Sequence, residues 1–285
     1  MTRPTDLSYY RQRQSPIFAS TVDPRFSYCT YVPSGYVHGD GPPLPLAVLV
    51  HSTDRDAQYV RDEFVTWAEE HNVILYAPIF PAGIIDPEDV DNYKWLEYRG
   101  LRFDLLLLQM LEELRGIYNV DTERFLLTGF SGGAHFTHRF LFAHPARVMG
   151  ASIAAPGVVT LLDPTRPWPV GVGGLEDALG VDLDLDEIRK TPVQLVIGDR
   201  DVETWEIGIP PGAPWYLPGV NDLETGRIER SDALRRSLEE SGVSVRLDIV
   251  PGVAHEGRPL APPTKRFFSD VLSGYTARAA GKVDS

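Results

Sequence analysis

The sequence predicts an α/β protein built on a mostly parallel, eight-stranded sheet with helices on both faces. Three observations carry that expectation. Apolar runs such as Leu46-Ala47-Val48-Leu49-Val50 and Val193-Gln194-Leu195-Val196-Ile197 lack polar alternation, as strands covered on both faces do. Segments of helical periodicity alternate with these runs. At Gly129-Phe130-Ser131-Gly132-Gly133 an apolar run leads through a glycine-rich turn straight into a helical segment. The chain of 285 residues can bury a large core as one domain, and no repeat or linker divides residues 1–285.

Taken in order, residues 1–16 are polar and aromatic and are expected to form an irregular arm. Residues 17–20 and 26–32 read as a short antiparallel pair at a sheet edge. Cys29, the single cysteine, falls in the second of them, where the pattern expects a buried structural thiol. Residues 33–36 and 39–43 are turn material, with His38 on the surface between them. Residues 46–51 form the first central strand. A helix over 57–70 follows because Val60, Phe64 and Trp67 recur at helical spacing. Residues 73–79 are the next buried strand, 80–100 a loop, and 101–118 a strongly apolar helix. Residues 124–128 and 134–142 are the strand and helix that flank the glycine-rich turn. Residues 148–155 form a strand of small residues. Residues 156–191 are a proline-rich, acidic excursion with a short helix near 183–189. The strand 193–198 ends in Asp199-Arg200-Asp201, and a second excursion spans 202–226. A helix over 228–241, an alternating strand over 244–250 and a helix over 264–279 complete the chain.

The turn has the form G-x-S-x-G. A strand, a strained glycine-rich turn and a helix together push a serine hydroxyl out above the sheet edge, at a helix N-terminus that favours negative charge. Ser131 is therefore the candidate nucleophile. A neutral hydroxyl needs a base. Of the seven histidines, His71 precedes a strand at its wrong end. His135 and His138 follow the nucleophile on its helix and lack a third metal ligand nearby. His144 suits the helix C-terminus as a cap, and His51 is expected to be structural. His255, in the loop after the last strand, is the candidate base. The acid belongs after the 193–198 strand, where Asp199 and Asp201 are both available. An oxyanion hole would use the Gly132 N–H and a second N–H from the loop His51-Ser52-Thr53, with Thr53 favoured and Ser52 the alternative. Trp168, Trp205, Trp215 and Tyr216, on the two excursions, are expected to wall an apolar substrate pocket.

With these residues in place, the chain resembles the α/β-hydrolase superfamily over nearly its whole length. Asn119-Val120-Asp121 through Gly133, followed by His144-Pro145, looks like the esterase and polyhydroxybutyrate-depolymerase-like group. The resemblance implies the α/β-hydrolase fold, a serine hydrolase of carboxylic esters or related acyl groups, and no metal or organic cofactor. The Gly-x-x-Asp pattern of related enzymes matches Gly198 to Asp201 and so favours Asp201 as the acid. Relatives place a glycine after the histidine of the third strand, where Ser52 stands. A peptidase or amidase on the same residues, or a binding protein that has lost turnover, are the alternatives.

Net charge is −13 with a pI near 5. Such a surface disfavours nucleic acid and anionic membrane as partners and leaves a small acyl substrate as the expected ligand. Residues 1–7 lack an apolar signal-peptide core, and no apolar run reaches spanning length, so a cytoplasmic protein is expected.

Overall fold

A computed structural model describes residues 7–281, apart from Asp40, Glu206, Glu224 and Thr225. The expectation for residues 1–6 lies outside the described residues, as do those single positions in the turn and the second excursion.

All eight expected strands join one sheet. They are β2 (Phe18–Ala19), β3 (Ser27–Val32), β4 (Leu46–Val50), β5 (Ile74–Ile79), β8 (Phe125–Phe130), β9 (Val148–Ala154), β10 (Val193–Gly198) and β11 (Val245–Val250). A ninth, β1 (Arg13–Gln14), comes from the arm expected to be irregular. Its Arg13 and Gln14 lie opposite Val32 and Tyr31, so the arm supplies the ladder that the outer edge of β3 would otherwise lack. A separate two-stranded hairpin, β6 (Glu97–Tyr98) with β7 (Leu101–Arg102), interrupts the long loop.

The sheet order is β1-β3-β5-β4-β8-β9-β10-β11, with β2 also paired to β3. From β5 to β11 every neighbour is parallel; β3 runs antiparallel to β5. The chain leaves β4 for β5 on one side and returns to β8 on the other. Loops after β4 and β8 therefore diverge at a topological switch point, where α/β sheets place their sites.

Helix α1 (Ala57–His71) and the last helix α7 (Ala261–Gly281) cover one face. There Cys29, Ala47, Leu49, Leu75 and Leu126 meet Phe64, Trp67 and Phe268. On the other face Leu46, Val48, Val50, Ile74 and Leu127 meet side chains of α2 (Phe103–Ile117), α3 (Gly132–Ala143) and α6 (Arg227–Glu240). Successive residues of β4 thus pack in opposite directions, as the pleat requires. Cys29 is buried and its thiol is pushed up to about 11 by desolvation. The first excursion carries the expected short helix, α5 (Leu185–Lys190), and also α4 (Leu175–Leu179). No helix among the described residues is long and apolar enough to cross a membrane.

Candidate active site

The turn after β8 is tight because two backbones pass within contact of each other. A Cβ on Gly129 would collide with the Gly133 backbone, and one on Gly133 with the carbonyls of Val50 and His51. Glycine at both positions lets α3 start directly against the end of β4. Ser131 pays for this closeness in conformation: φ is 53° and ψ −112°, a region L-residues avoid. Its N–H donates to Ala154 O at 2.9 Å, which ties the strained residue to β9.

The loops after β10 and β11 are fastened to each other. Arg200 N–H donates to Val253 O at 2.9 Å, and Gly252 N–H to Asp199 Oδ1 at 2.6 Å. Asp199 is thus an exposed loop tie. Asp201 is fully buried, and it is the carboxylate that faces His255. His255 Nδ1 lies 2.7 Å from Asp201 Oδ2, and His255 Nε2 lies 3.0 Å from Ser131 Oγ. The second Asp201 oxygen has the buried Arg227 Nη1 at 3.5 Å. The imidazole lies against the Phe130 ring, centroids 4.7 Å apart. The structure therefore brings Ser131, His255 and Asp201 into one hydrogen-bonded chain and leaves Asp199 outside it.

His51 is fully buried and pins the loop after β4. Its Nδ1 bonds Ser52 O at 2.7 Å, and its Nε2 accepts from Phe80 N–H at 2.9 Å. Burial holds its pKa down at about 3, so it stays neutral. Arg55 bonds the carbonyls of Phe80, Val90 and Thr53. Among the described residues the amides of Ser52, Thr53 and Gly132 donate to no backbone carbonyl. Thr53 Oγ1 lies 3.0 Å from the point a Gly132 Cβ would occupy, beside Tyr93 Oη at 2.5 Å and Lys94 Cε at 2.7 Å. Tyr93 and Lys94 belong to the 80–100 loop, whose aromatic and acidic composition gave no sequence signal for a place next to the nucleophile. Arg227 was equally unmarked, since one arginine at a helix start looks like any solvated charge.

The remaining histidines have structural partners. His135 Nε2 accepts from Gly157 and Val158 N–H at 2.8 and 2.9 Å. His138 Nδ1 donates to Ala134 O, and its Nε2 accepts from Thr160 N–H. His144 caps the C-terminus of α3, as its position predicts, with its N–H donating to Phe140 O at 2.8 Å; its ring also bonds buried Asp104 at 2.7 Å, which Arg102 grips as well. Among the described residues no group of three or more His, Cys, Asp or Glu could hold a metal.

A cavity of about 400 Å³ adjoins His255 and Ser52. Its walls include Val60, Phe64, Phe130 and Leu260, and Asp54, Asp56, Glu63 and Glu256 also line it. None of Trp168, Trp205, Trp215 or Tyr216 lines it. Trp168 packs on the main core. Trp215 is stacked on Trp95 at 5.1 Å and packed on Tyr98 at 5.0 Å, so both of these tryptophans pin their excursions to the body. Trp205 is 55% exposed, with the Arg227 guanidinium 5.7 Å from its ring, and Tyr216 is 40% exposed.

The architecture is the α/β-hydrolase fold. Among solved structures, LpqC, a poly(3-hydroxybutyrate) depolymerase from Bordetella parapertussis, is 25% identical with a TM-score of 0.66, over 86% of this chain and 84% of that one. Poly(aspartic acid) hydrolase-1 from Sphingomonas sp. KT-1 is 16% identical with a TM-score of 0.66, over 93% and 98%. An S-formylglutathione hydrolase from Agrobacterium tumefaciens is 16% identical with a TM-score of 0.61, over 96% and 99%. In sequence, the bifunctional acetylxylan esterase/xylanase XynS20E of Neocallimastix patriciarum is 24% identical over 145 residues, which is 49% of this chain and 19% of that protein. No family model matches the chain.

Proposed function

We propose that the protein is a serine hydrolase that cleaves a carboxylic ester of a small molecule through an acyl-enzyme. Ser131 Oγ attacks the carbonyl carbon while His255 Nε2 takes its proton. The tetrahedral oxyanion is held by the Gly132 and Thr53 amides. As the C–O bond breaks, His255 returns the proton to the leaving alcohol. Water then repeats the sequence on the acyl-enzyme and releases the acid. Asp201 accepts the Nδ1–H bond, fixes the tautomer and balances the imidazolium charge.

The observation that carries this reading is the unbroken chain from Asp201 through His255 to Ser131, at 2.7 and 3.0 Å, with the serine held at a positive φ of 53°. The likeness to a polyester depolymerase and an acetylxylan esterase supports an ester as the bond cleaved. Since His255 must reach the leaving group, the cavity beside it suits the alcohol half. Trp205, with half its surface exposed next to the Asp201 partner Arg227, is the aromatic best placed to meet substrate.

A fluorophosphonate probe and a series of 4-nitrophenyl esters test the assignment. The wild-type protein is expected to label and to turn over esters. Ser131→Ala should lose the label, and kcat should fall about 10⁴-fold or more with the fold intact. A wild-type protein that neither labels nor hydrolyses any ester would leave the fold as a binding scaffold. Faster turnover of an amide than of its matched ester would move the assignment to an amidase.

A further inference from the structure

On the His255 side of Ser131 lies the cavity whose lining carries Asp54, Asp56, Glu63 and Glu256. Arg258, also in its lining, is already bound to Glu63 at 3.1 Å. His255 must protonate the leaving group, so that group belongs on this side and the acyl chain extends away from it, past Gly132.

There it meets Lys94. The residue is only 7% exposed, and its Cε lies 2.7 Å from the point a Gly132 Cβ would occupy. The ammonium, one bond of about 1.5 Å further, therefore sits within about 4 Å of the same point. Burying a lysine is costly unless its charge is used. Its one carboxylate partner among the described residues is Asp91, at 2.5 Å, whose side chain is 44% exposed. Among the described residues the Lys94 ammonium makes one hydrogen bond, to Asp91 Oδ1, and carries two further N–H donors.

The backbone around Lys94 is fixed. Its N–H donates to Asp91 O at 3.0 Å. Its carbonyl accepts from Arg139 Nη1 at 2.6 Å. Arg139 is fully buried, lies 4.1 Å from the centroid of the Trp95 ring, and has no carboxylate within ion-pair distance among the described residues. Two further donors nearby are buried with no partner among the described residues, His135 Nδ1 and Trp95 Nε1. Because His135 Nε2 accepts two amide protons, its own proton is on Nδ1. Burial and then the charges of Arg139 and Lys94 hold this ring neutral. Around Lys94 the donors of Arg139, His135 Nδ1 and Trp95 Nε1 stand beside one ion-paired carboxylate, Asp91.

We propose that Lys94 binds a carboxylate on the acyl half of the substrate, so that the preferred esters are half-esters of short dicarboxylic acids. This rests on the serine hydrolase reading above. Asp91 holds the ammonium in place in the free enzyme and shares it with the bound carboxylate.

Monoethyl glutarate and ethyl pentanoate have acyl chains of equal length and differ in one terminal charge, and pH-stat titration follows both. The wild-type enzyme should favour the half-ester at least tenfold in kcat/KM, chiefly through KM, and raised salt should shrink the preference. Lys94→Met should reduce the half-ester to neutral-ester ratio at least tenfold, and Lys94→Arg should restore part of it. Asp91→Asn, at a half-exposed position, should raise the ratio by removing a competing carboxylate. A wild-type ratio at or below one, or a ratio that Lys94→Met leaves unchanged, overturns the proposal while turnover of ethyl pentanoate upholds the hydrolase. Calorimetric binding of glutarate covers the case in which neither ester is cleaved. Binding that Lys94→Met abolishes supports the carboxylate site, and no binding to the wild-type protein overturns it.

Discussion

At Asp201 the two carboxylate oxygens have separate tasks. Oδ2 faces His255 at 2.7 Å and Oδ1 faces Arg227 at 3.5 Å, while Asp199, two residues earlier, ties down Gly252 from the surface. Asp201→Asn should therefore lower kcat by roughly 10⁴-fold, because the amide either forces the wrong histidine tautomer or cannot balance its charge. Asp199→Asn should be mild, with a small loss of thermal stability. A comparison of kcat for the two variants checks this, and a reversal would transfer the acid role to Asp199.

At the scale of elements, the site depends on close contact between the end of β4 and the start of α3. Gly133→Ala places a methyl group against the Val50 and His51 carbonyls. Val50 is held by its pairing with Gly129 of β8, and His51 by its buried ring, which bonds Ser52 O and Phe80 N–H. The variant should be poorly folded or should displace Ser131. The test is thermal melting together with fluorophosphonate labelling, and full activity at unchanged Tm would refute the packing argument. The second excursion is held differently, by the stack of Trp215 on Trp95 and its packing on Tyr98. Trp215→Ala should cost about 3 kcal/mol of stability while a small activated ester is still cleaved. Trp205→Ala, at an exposed ring, should leave stability nearly intact and raise KM. Equal effects of the two substitutions on melting would remove the distinction.

For the whole molecule, the buried histidines set the acid limit of stability. His51 is held at about 3, and His135 and His138 are held well below the usual histidine range, in each case chiefly by desolvation. These native pKa values are depressed, so below the unfolded value of about 6.5 the unfolded chain binds protons that the native protein does not. Stability from the three rings is complete above about pH 6.5 and is lost as pH falls below it, at up to about 4 kcal/mol per pH unit while all three stay neutral. Asp104 acts in the same direction. Burial alone would raise its pKa, but His144 and Arg102 bring it below the ordinary carboxylate range, so its contribution is also lost in acid. Denaturant unfolding at a series of pH values measures the slope. Stability independent of pH between about 6.5 and about 4.5 would mean that these rings are protonated in the native state.

The fold class, the order of the strands along the chain, and the serine, base and acid candidates were all legible in the amino-acid order. Those features are local or periodic. Continuous apolar runs declare two-faced strands, helical spacing declares which face is covered, and Gly129 to Gly133 declares a turn that only small residues allow. Between Asp199 and Asp201 the Gly198-x-x-Asp201 resemblance favoured the second, but the physical reason for that preference is not local. It turns on which carboxylate is buried opposite His255, and that depends on how the loops after β10 and β11 are fastened together. The aromatic residues of the excursions show the same limit. Their composition marks stiff, anchored loops, but only the packed structure separates Trp168 and Trp215, whose rings are used as anchors, from the exposed Trp205. Lys94 and Arg227 were invisible for a related reason. A charged side chain carries no pattern that tells a solvated surface from a buried site, and burial is a property of the assembled sheet, helices and loops together.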